Sequence, residues 1–337
     1  MFRKAVIVLI AAIALVLSFQ MQVQAQTVLR FQCAYPEKAH SGQTTLFFAD
    51  EVAKLTNNQV QVKVLWPGKD VKMGEAFDAV CQGDLDGYSG SLLYFAAKVP
   101  EVNCQWLPFN WANAADAKNV LLNKGYMQVM AEAVAGHGAT YLGALSVCSM
   151  GFLTKFPVEK LADLKGKKIR AVGMEAKIVG ALGATAVDTP PPDQHAALKE
   201  GRVDGTDFPW YTIEQYKFYE VLNYVVKPAL HTPGIVELII STKSLKALTP
   251  QQQQAIQQAA RNAMERSFAQ SDQLDAEALR KAEERGVKAS TISEFQLVKF
   301  RAAMRPLWQA EAKKSEYSAK LVQILRDHLK SSLGIEQ

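Results

Sequence analysis

The chain carries one pattern twice. Phe77-Asp78-Ala79-Val80-Cys81-Gln82-Gly83-Asp84-Leu85-Asp86-Gly87 and His195-Ala196-Ala197-Leu198-Lys199-Glu200-Gly201-Arg202-Val203-Asp204-Gly205 share a layout. Each reads helix, glycine stop, one spacer, an apolar residue, then Asp-Gly. The stop needs a residue that accepts positive φ, and the Asp-Gly marks a backbone that turns or is closely approached beside a strand. The elements around each copy follow the same order, which constrains the chain to two related lobes. Its 337 residues suffice for a core in each.

The flanking pattern gives those lobes a class. Val28–Cys33 reads as a strand whose loop carries Tyr35, Pro36 and His40. Ser41–Leu55 follows with apolar residues near helical spacing, then a strictly alternating strand over Val60–Trp66 ended by Pro67-Gly68. Met73–Gln82 is helical and Leu85–Ser89 a strand. The second half repeats this with a strand at Ile169–Val172, helices at Glu175–Leu182 and Asp193–Glu200, and strands at Thr185–Asp188 and Val203–Phe208. Alternating strands and helices predict an α/β fold, with open, mostly parallel sheets flanked by helices. The expected organisation is a signal segment at 1–25, lobe I at 26–150, lobe II at 151–240, and helices packing on the lobes at 241–337. Thr249-Pro250 opens a helix of about 35 residues, ~50 Å long at ~1.5 Å per residue, enough to span both lobes. The amphipathic segments 293–308 and 318–333 then brace a lobe or a second copy of the chain in a homodimer.

Met1-Phe2-Arg3-Lys4, the apolar run Ala5–Leu17 and Val23-Gln24-Ala25 form a cleavable secretory signal, too short for an ordinary membrane span. Its loss lowers the formal charge from +5 to +3, because Arg3 and Lys4 leave with no acid. That mild charge, on an exported chain without a basic block, argues against nucleic acid. The expected location is the periplasm, where disulfides are permitted. Cys33, Cys81, Cys104 and Cys148 allow three pairings, or stand as small buried thiols. No catalytic or nucleotide motif occurs, and the five histidines are scattered. The expectation is a non-enzymatic binding protein.

In open sheets, ligands bind beyond the carboxyl ends of strands. Facing lobes would enclose a cleft lined by 87–94 on one side and by Arg170 and 207–210 on the other. Asp163-Leu164-Lys165-Gly166-Lys167-Lys168-Ile169-Arg170-Ala171-Val172-Gly173 places a guanidinium near a strand end, although the same run is also a plausible charged surface turn. Phe208, Trp210 and Tyr94 are wall or core residues. Asp207 ends its strand and orients polar groups or lies in a solvated turn. Glu237 interrupts the apolar strand Ile235–Ile240; if buried, it needs a cation, hydrogen bonds or a proton, with Arg170, a metal ion or a ligand network as partners. On an edge strand it would instead face outward.

Asp163–Arg170, Ala197-Leu198-Lys199-Glu200-Gly201-Arg202-Val203-Asp204-Gly205, Lys217-Phe218-Tyr219-Glu220-Val221 and Leu248-Thr249-Pro250 together resemble the DctP-like solute-binding proteins of tripartite ATP-independent periplasmic (TRAP) transporters. The resemblance covers essentially the mature chain. It implies two α/β lobes closing over a ligand, with delivery to membrane permease subunits. It makes Arg170 the partner of a ligand carboxylate. Many sugar-acid and dicarboxylate members carry a second arginine where this chain has Leu153, and an asparagine where it has Phe208. Both departures point to a monocarboxylate. His231-Thr232-Pro233-Gly234-Ile235-Val236-Glu237-Leu238-Ile239-Ile240 and Tyr94-Phe95-Ala96-Ala97-Lys98-Val99-Pro100 look like the subgroup for 2-oxo and 2-hydroxy monocarboxylates. That likeness implies a sodium or calcium ion, held by Asp207 and Glu237, bridging to the ligand. The subgroup's Glu-Trp pair is Asp207-Phe208 here, and its glutamine is Ser149. The ligand set implied is Arg170, Tyr94, Phe208, Trp210, Ser149 and Tyr35. The alternatives are a receptor of an ABC or sensor system, or a secreted enzyme using the same cleft.

Overall fold

The computed structural model describes residues 26–67 and 71–335; the signal segment lies outside them. The strands are β1 (Thr27–Cys33), β2 (Val60–Leu65), β3 (Gly87–Gly90), β4 (Ala139–Ser146), β5 (Met150–Thr154), β6 (Lys168–Arg170), β7 (Thr185–Val187), β8 (Gly205–Pro209), β9 (Tyr224–Lys227), β10 (Ile235–Ser241) and β11 (Lys288–Thr291). They form two sheets, ordered β2-β1-β3-β10-β4 and β11-β9-β5-β8-β6-β7. Helices flank both, so the fold is the expected two-lobed α/β architecture.

Each sheet is mostly parallel, as expected, with one reversed strand inside it. β10 runs antiparallel between β3 and β4, and β5 runs antiparallel between β9 and β8. Sequence alone assigns β10 to the second lobe, yet it belongs to the first sheet. All seven of its residues are buried, and an interior position between two strands meets that need. β11, from the C-terminal region, extends the second sheet. The backbone therefore crosses between lobes at 147–149 and returns at 228–234. The two crossings lie side by side: Met150 and His231 exchange backbone hydrogen bonds of 2.9 and 3.0 Å, and Gly234 N donates to Cys148 O at 2.9 Å.

The repeated motif has a structural reason in both copies. Asp86 accepts a hydrogen bond from Arg30 N at 2.7 Å, and Asp204 accepts one from Lys168 N at 2.9 Å. Each aspartate thus holds the backbone of a neighbouring strand, β1 at its middle and β6 at its start. The glycine after each is required by close approach. A Cβ on Gly87 would lie 2.3 Å from the Phe31 ring, and one on Gly205 would lie 2.8 Å from Leu153 O.

The long helix occupies Pro250–Glu284, capped by Thr249, whose side chain accepts from Gln252 N while Gln252 reaches back to Thr249 N. It packs on His40–Leu55 and β4 in one lobe and on Thr212–Gln215 and β11 in the other. Its Asp275 accepts from Ser149 N at 2.9 Å, fastening a crossing segment to the helix. The penultimate helix, Glu294–Ala312, contacts both the 100–106 turn and the helix Gly173–Ala181. The last helix, Glu316–Leu333, buries Leu321, Val322, Leu325 and Leu329 against the first lobe, so its apolar face is covered within the chain. The four cysteines are free thiols, three of them buried. No described helix is long and apolar enough to cross a membrane.

Candidate functional site

A cavity of about 370 Å³ lies between the lobes. Tyr35, Leu93, Tyr94 and Trp106 line it from the first lobe, and Arg170, Glu175, Phe208 and Tyr216 from the second. Tyr35 follows the end of β1, and Tyr94 sits in the 92–95 turn after β3, so both lie beyond carboxyl strand ends as the fold demands. Leu93 packs on Gly173 across the cleft, where a Cβ would come within 3.1 Å of Leu93 Cγ. Gly173 also has φ +55°, a conformation that side chains other than glycine's disfavour. This sharp turn from β6 into its helix lets the lobes close while aiming Arg170 inward.

Arg170 is only 3% exposed and is the one cation on the described wall. Its Nε donates to Thr189 O at 2.9 Å, which fixes the guanidinium plane. The guanidinium lies 5.0 Å from the centre of the Phe208 ring. At that distance a cation–π contact contributes ~0.5–2 kcal/mol. The residue where many relatives are expected to hold an asparagine therefore supports the arginine through its ring face. Phe208 is itself held edge-on by Tyr216 and Phe218. Among the described residues Arg170 makes no ion pair, so its charge faces an otherwise largely apolar chamber.

The other site residues expected from sequence do not line the cavity. Trp210 is 5% exposed and packs in a second-lobe core with Leu198, Ile213 and Phe218. The neighbouring Tyr211 faces the cavity instead, beside His40 of the first lobe. Ser149 is buried; its N–H binds Asp275 and its carbonyl accepts from Trp210 N at 2.9 Å. It belongs to the crossing segment rather than to the wall. Glu237 does not meet Arg170. It accepts from Leu92 N at 2.7 Å and from the Gln105 amide. It thus anchors the turn that presents Leu93 and Tyr94. Asp207 lies behind Phe208, fully buried, and neither oxygen has a hydrogen-bond partner.

These positions do not fit a cation held by Asp207 and Glu237. The two acids stand in different sheets, and both Glu237 oxygens are occupied by N–H donors. Among the described residues, no three His, Cys, Asp or Glu side chains gather where an ion would sit. Sequence reasoning missed Glu175, which lies in the first turn after Gly173. An acid there reads as an ordinary partner of the helix dipole; its proximity to Arg170 is the signal that it does more.

Burial pushes three carboxyls up: Glu237 to about 8, Glu175 to about 8 and Asp207 to about 7. For Asp207 the Arg170 charge opposes the shift, and for Glu175 the nearby Asp207 adds to it. A raised carboxyl keeps a proton that the unfolded chain releases. Its contribution is complete below the unfolded value of ~4.5 and is lost as pH rises towards the folded value. Glu237→Gln is therefore expected to flatten the loss of stability between pH 5 and pH 8 in urea titrations. An unchanged slope would mean that Glu237 is ionised in the folded protein across that range.

Comparison with known proteins agrees with this geometry. The model of the bacterial extracellular solute-binding protein family 7, DctP, matches residues 32–315. An uncharacterized protein of Salmonella typhimurium, YiiZ, is 25% identical over 260 residues, covering 76% of this chain and 79% of the relative. A TRAP periplasmic solute-binding protein from Rhodobacter sphaeroides, in an apo open structure, is 27% identical with a TM-score of 0.73, covering 90% of this chain and 98% of that one. A Bordetella pertussis extracytoplasmic solute receptor, DctP7, binding pyroglutamic acid, has the same fold, with a TM-score of 0.81, 19% identity and coverage of 89% and 99%. With the match spanning nearly all of both lobes, the chain belongs to the DctP family of TRAP periplasmic solute-binding proteins.

Proposed function

We propose that this chain is the periplasmic receptor of a TRAP transporter, capturing a small organic acid between its lobes and delivering it to the membrane permease subunits. The ligand is a monocarboxylate with an apolar or aromatic body. The observation that carries this reading is Arg170, a buried cation with no ion pair among the described residues, on a largely apolar wall. A planar guanidinium orients a carboxylate as well as neutralising it. Leu153 lies in the second-lobe core and Phe208 presents an aromatic ring to the cavity, so a second carboxylate would enter a largely apolar environment with no second cation on the described wall. The pyroglutamate-binding neighbour supports the ligand class by its fold and cargo. The protein acts as a binder, with no chemistry performed on the acid.

A thermal-shift screen of organic acids tests this. A ligand at 100 times its Kd is expected to stabilise the protein by about 2.7 kcal/mol. Monocarboxylates with apolar bodies should give the largest shifts. A screen in which only dicarboxylates or neutral sugars stabilise the protein would reject the assignment.

A further inference from the structure

The cavity wall holds one carboxyl group that carboxylate capture does not use. Glu175 lines the same chamber as Arg170, is 3% exposed, and its Oε2 has no hydrogen-bond partner. It is the wall's one acid among the described residues. Arg170 is an electrostatic neighbour, yet the two form no ion pair within reach. The guanidinium and the carboxyl are thus held apart on one wall, separated by the Ala171–Met174 turn. A buried carboxylate with a free oxygen is costly unless something pairs with it. Asp207 is a second acid nearby and supplies no counter-charge. Lys177, two residues further along the same helix, is committed to Glu311 at 3.1 Å.

We propose that Glu175 receives a protonated nitrogen on the ligand, so that the cavity takes a zwitterion: a carboxylate on Arg170, an ammonium on Glu175, and an apolar or aromatic side chain among Leu93, Trp106 and Phe208. This rests on the reading of Arg170 as the carboxylate anchor and narrows it to small apolar or aromatic amino acids. The neighbouring Gly173 turn gives the arrangement its rigidity, because the strand bearing Arg170 and the helix bearing Glu175 meet there. A neutral donor would pair with Glu175 more weakly than a charged one, since charge-assisted hydrogen bonds are roughly twice as strong. A protonated Glu175 donating to a ligand carbonyl is the competing arrangement, and it would favour a 2-oxo acid.

Matched probes separate these outcomes. Calorimetric titrations would use leucine, 4-methyl-2-oxopentanoate and 4-methylpentanoate, together with the phenylalanine-derived set of the same three types. Each amino acid that fits is expected to bind at least about tenfold more tightly than its oxo and unsubstituted counterparts, a difference of ~1.4 kcal/mol. Glu175→Gln is expected to shrink that preference below about threefold. A preference for the 2-oxo acids, or an amino-acid preference that survives Glu175→Gln, overturns the proposal. In those cases Arg170-dependent binding of the carboxylates would leave the monocarboxylate reading standing. Binding of none of the six probes overturns the proposal and counts against the monocarboxylate reading too.

Discussion

Arg170→Ala is expected to weaken binding of an organic acid by ~2–5 kcal/mol in calorimetric titration, the usual loss when one partner of a desolvated charge pair is truncated. Three features place the effect at the upper part of that range. The guanidinium is buried, so water screens it little. Thr189 and Phe208 hold it in place, so little ordering remains to be done when the acid arrives. No second cation stands on the described wall to take over its role. Arg170→Lys is expected to recover only part of the loss, because an ammonium lacks the planar fork and its stacking on Phe208.

Trp308→Ala is expected to lower the stability of the folded protein by ~3–5 kcal/mol, measured by urea unfolding. Trp308 is fully buried and ranks first by volume among the wholly buried side chains described. It lies on the penultimate helix, which touches the first lobe and the helix that carries Glu175. Removing the indole leaves a cavity that neighbouring side chains fill only partly. Because that helix braces Gly173–Ala181, ligand affinity should fall as well, though less than for Arg170→Ala. A loss below 1 kcal/mol would mean that the surrounding packing collapses onto the gap.

Much of this fold is written locally. The long helix begins at Thr249-Pro250 and ends before Gly286, where capping and stop chemistry place it. The two Asp-Gly copies are legible because each must hold a neighbouring strand's backbone and admit a close contact. What is not legible is long-range pairing. Ile235–Ile240 announces burial on both faces, yet nothing in it names the sheet that supplies those faces, and it enters the first lobe. The partner of Glu237 is likewise a distant amide, Gln105, reached only once the 100–106 turn folds beneath β10.

At the site, Arg170, Tyr35, Tyr94 and Phe208 come together as their places after strands suggest. Trp210 and Tyr211 are adjacent aromatics, and only the direction of the turn after β8 decides that Tyr211 meets the cavity while Trp210 enters the core. Glu175 is hidden for a different reason. Its position suits a surface helix start, and its burial depends on tertiary packing of its helix, which contacts the 92–95 turn of the first lobe and the penultimate helix.

The most direct measurement compares an acid that binds with its own primary amide, titrated calorimetrically into the wild-type protein and into Arg170→Ala. The amide keeps the shape and removes the charge. If Arg170 holds the carboxylate, the wild type should favour the acid by ~2 kcal/mol or more, roughly thirtyfold, and Arg170→Ala should not distinguish the two. Equal affinities of acid and amide for the wild type, or an acid preference that persists in Arg170→Ala, would contradict it.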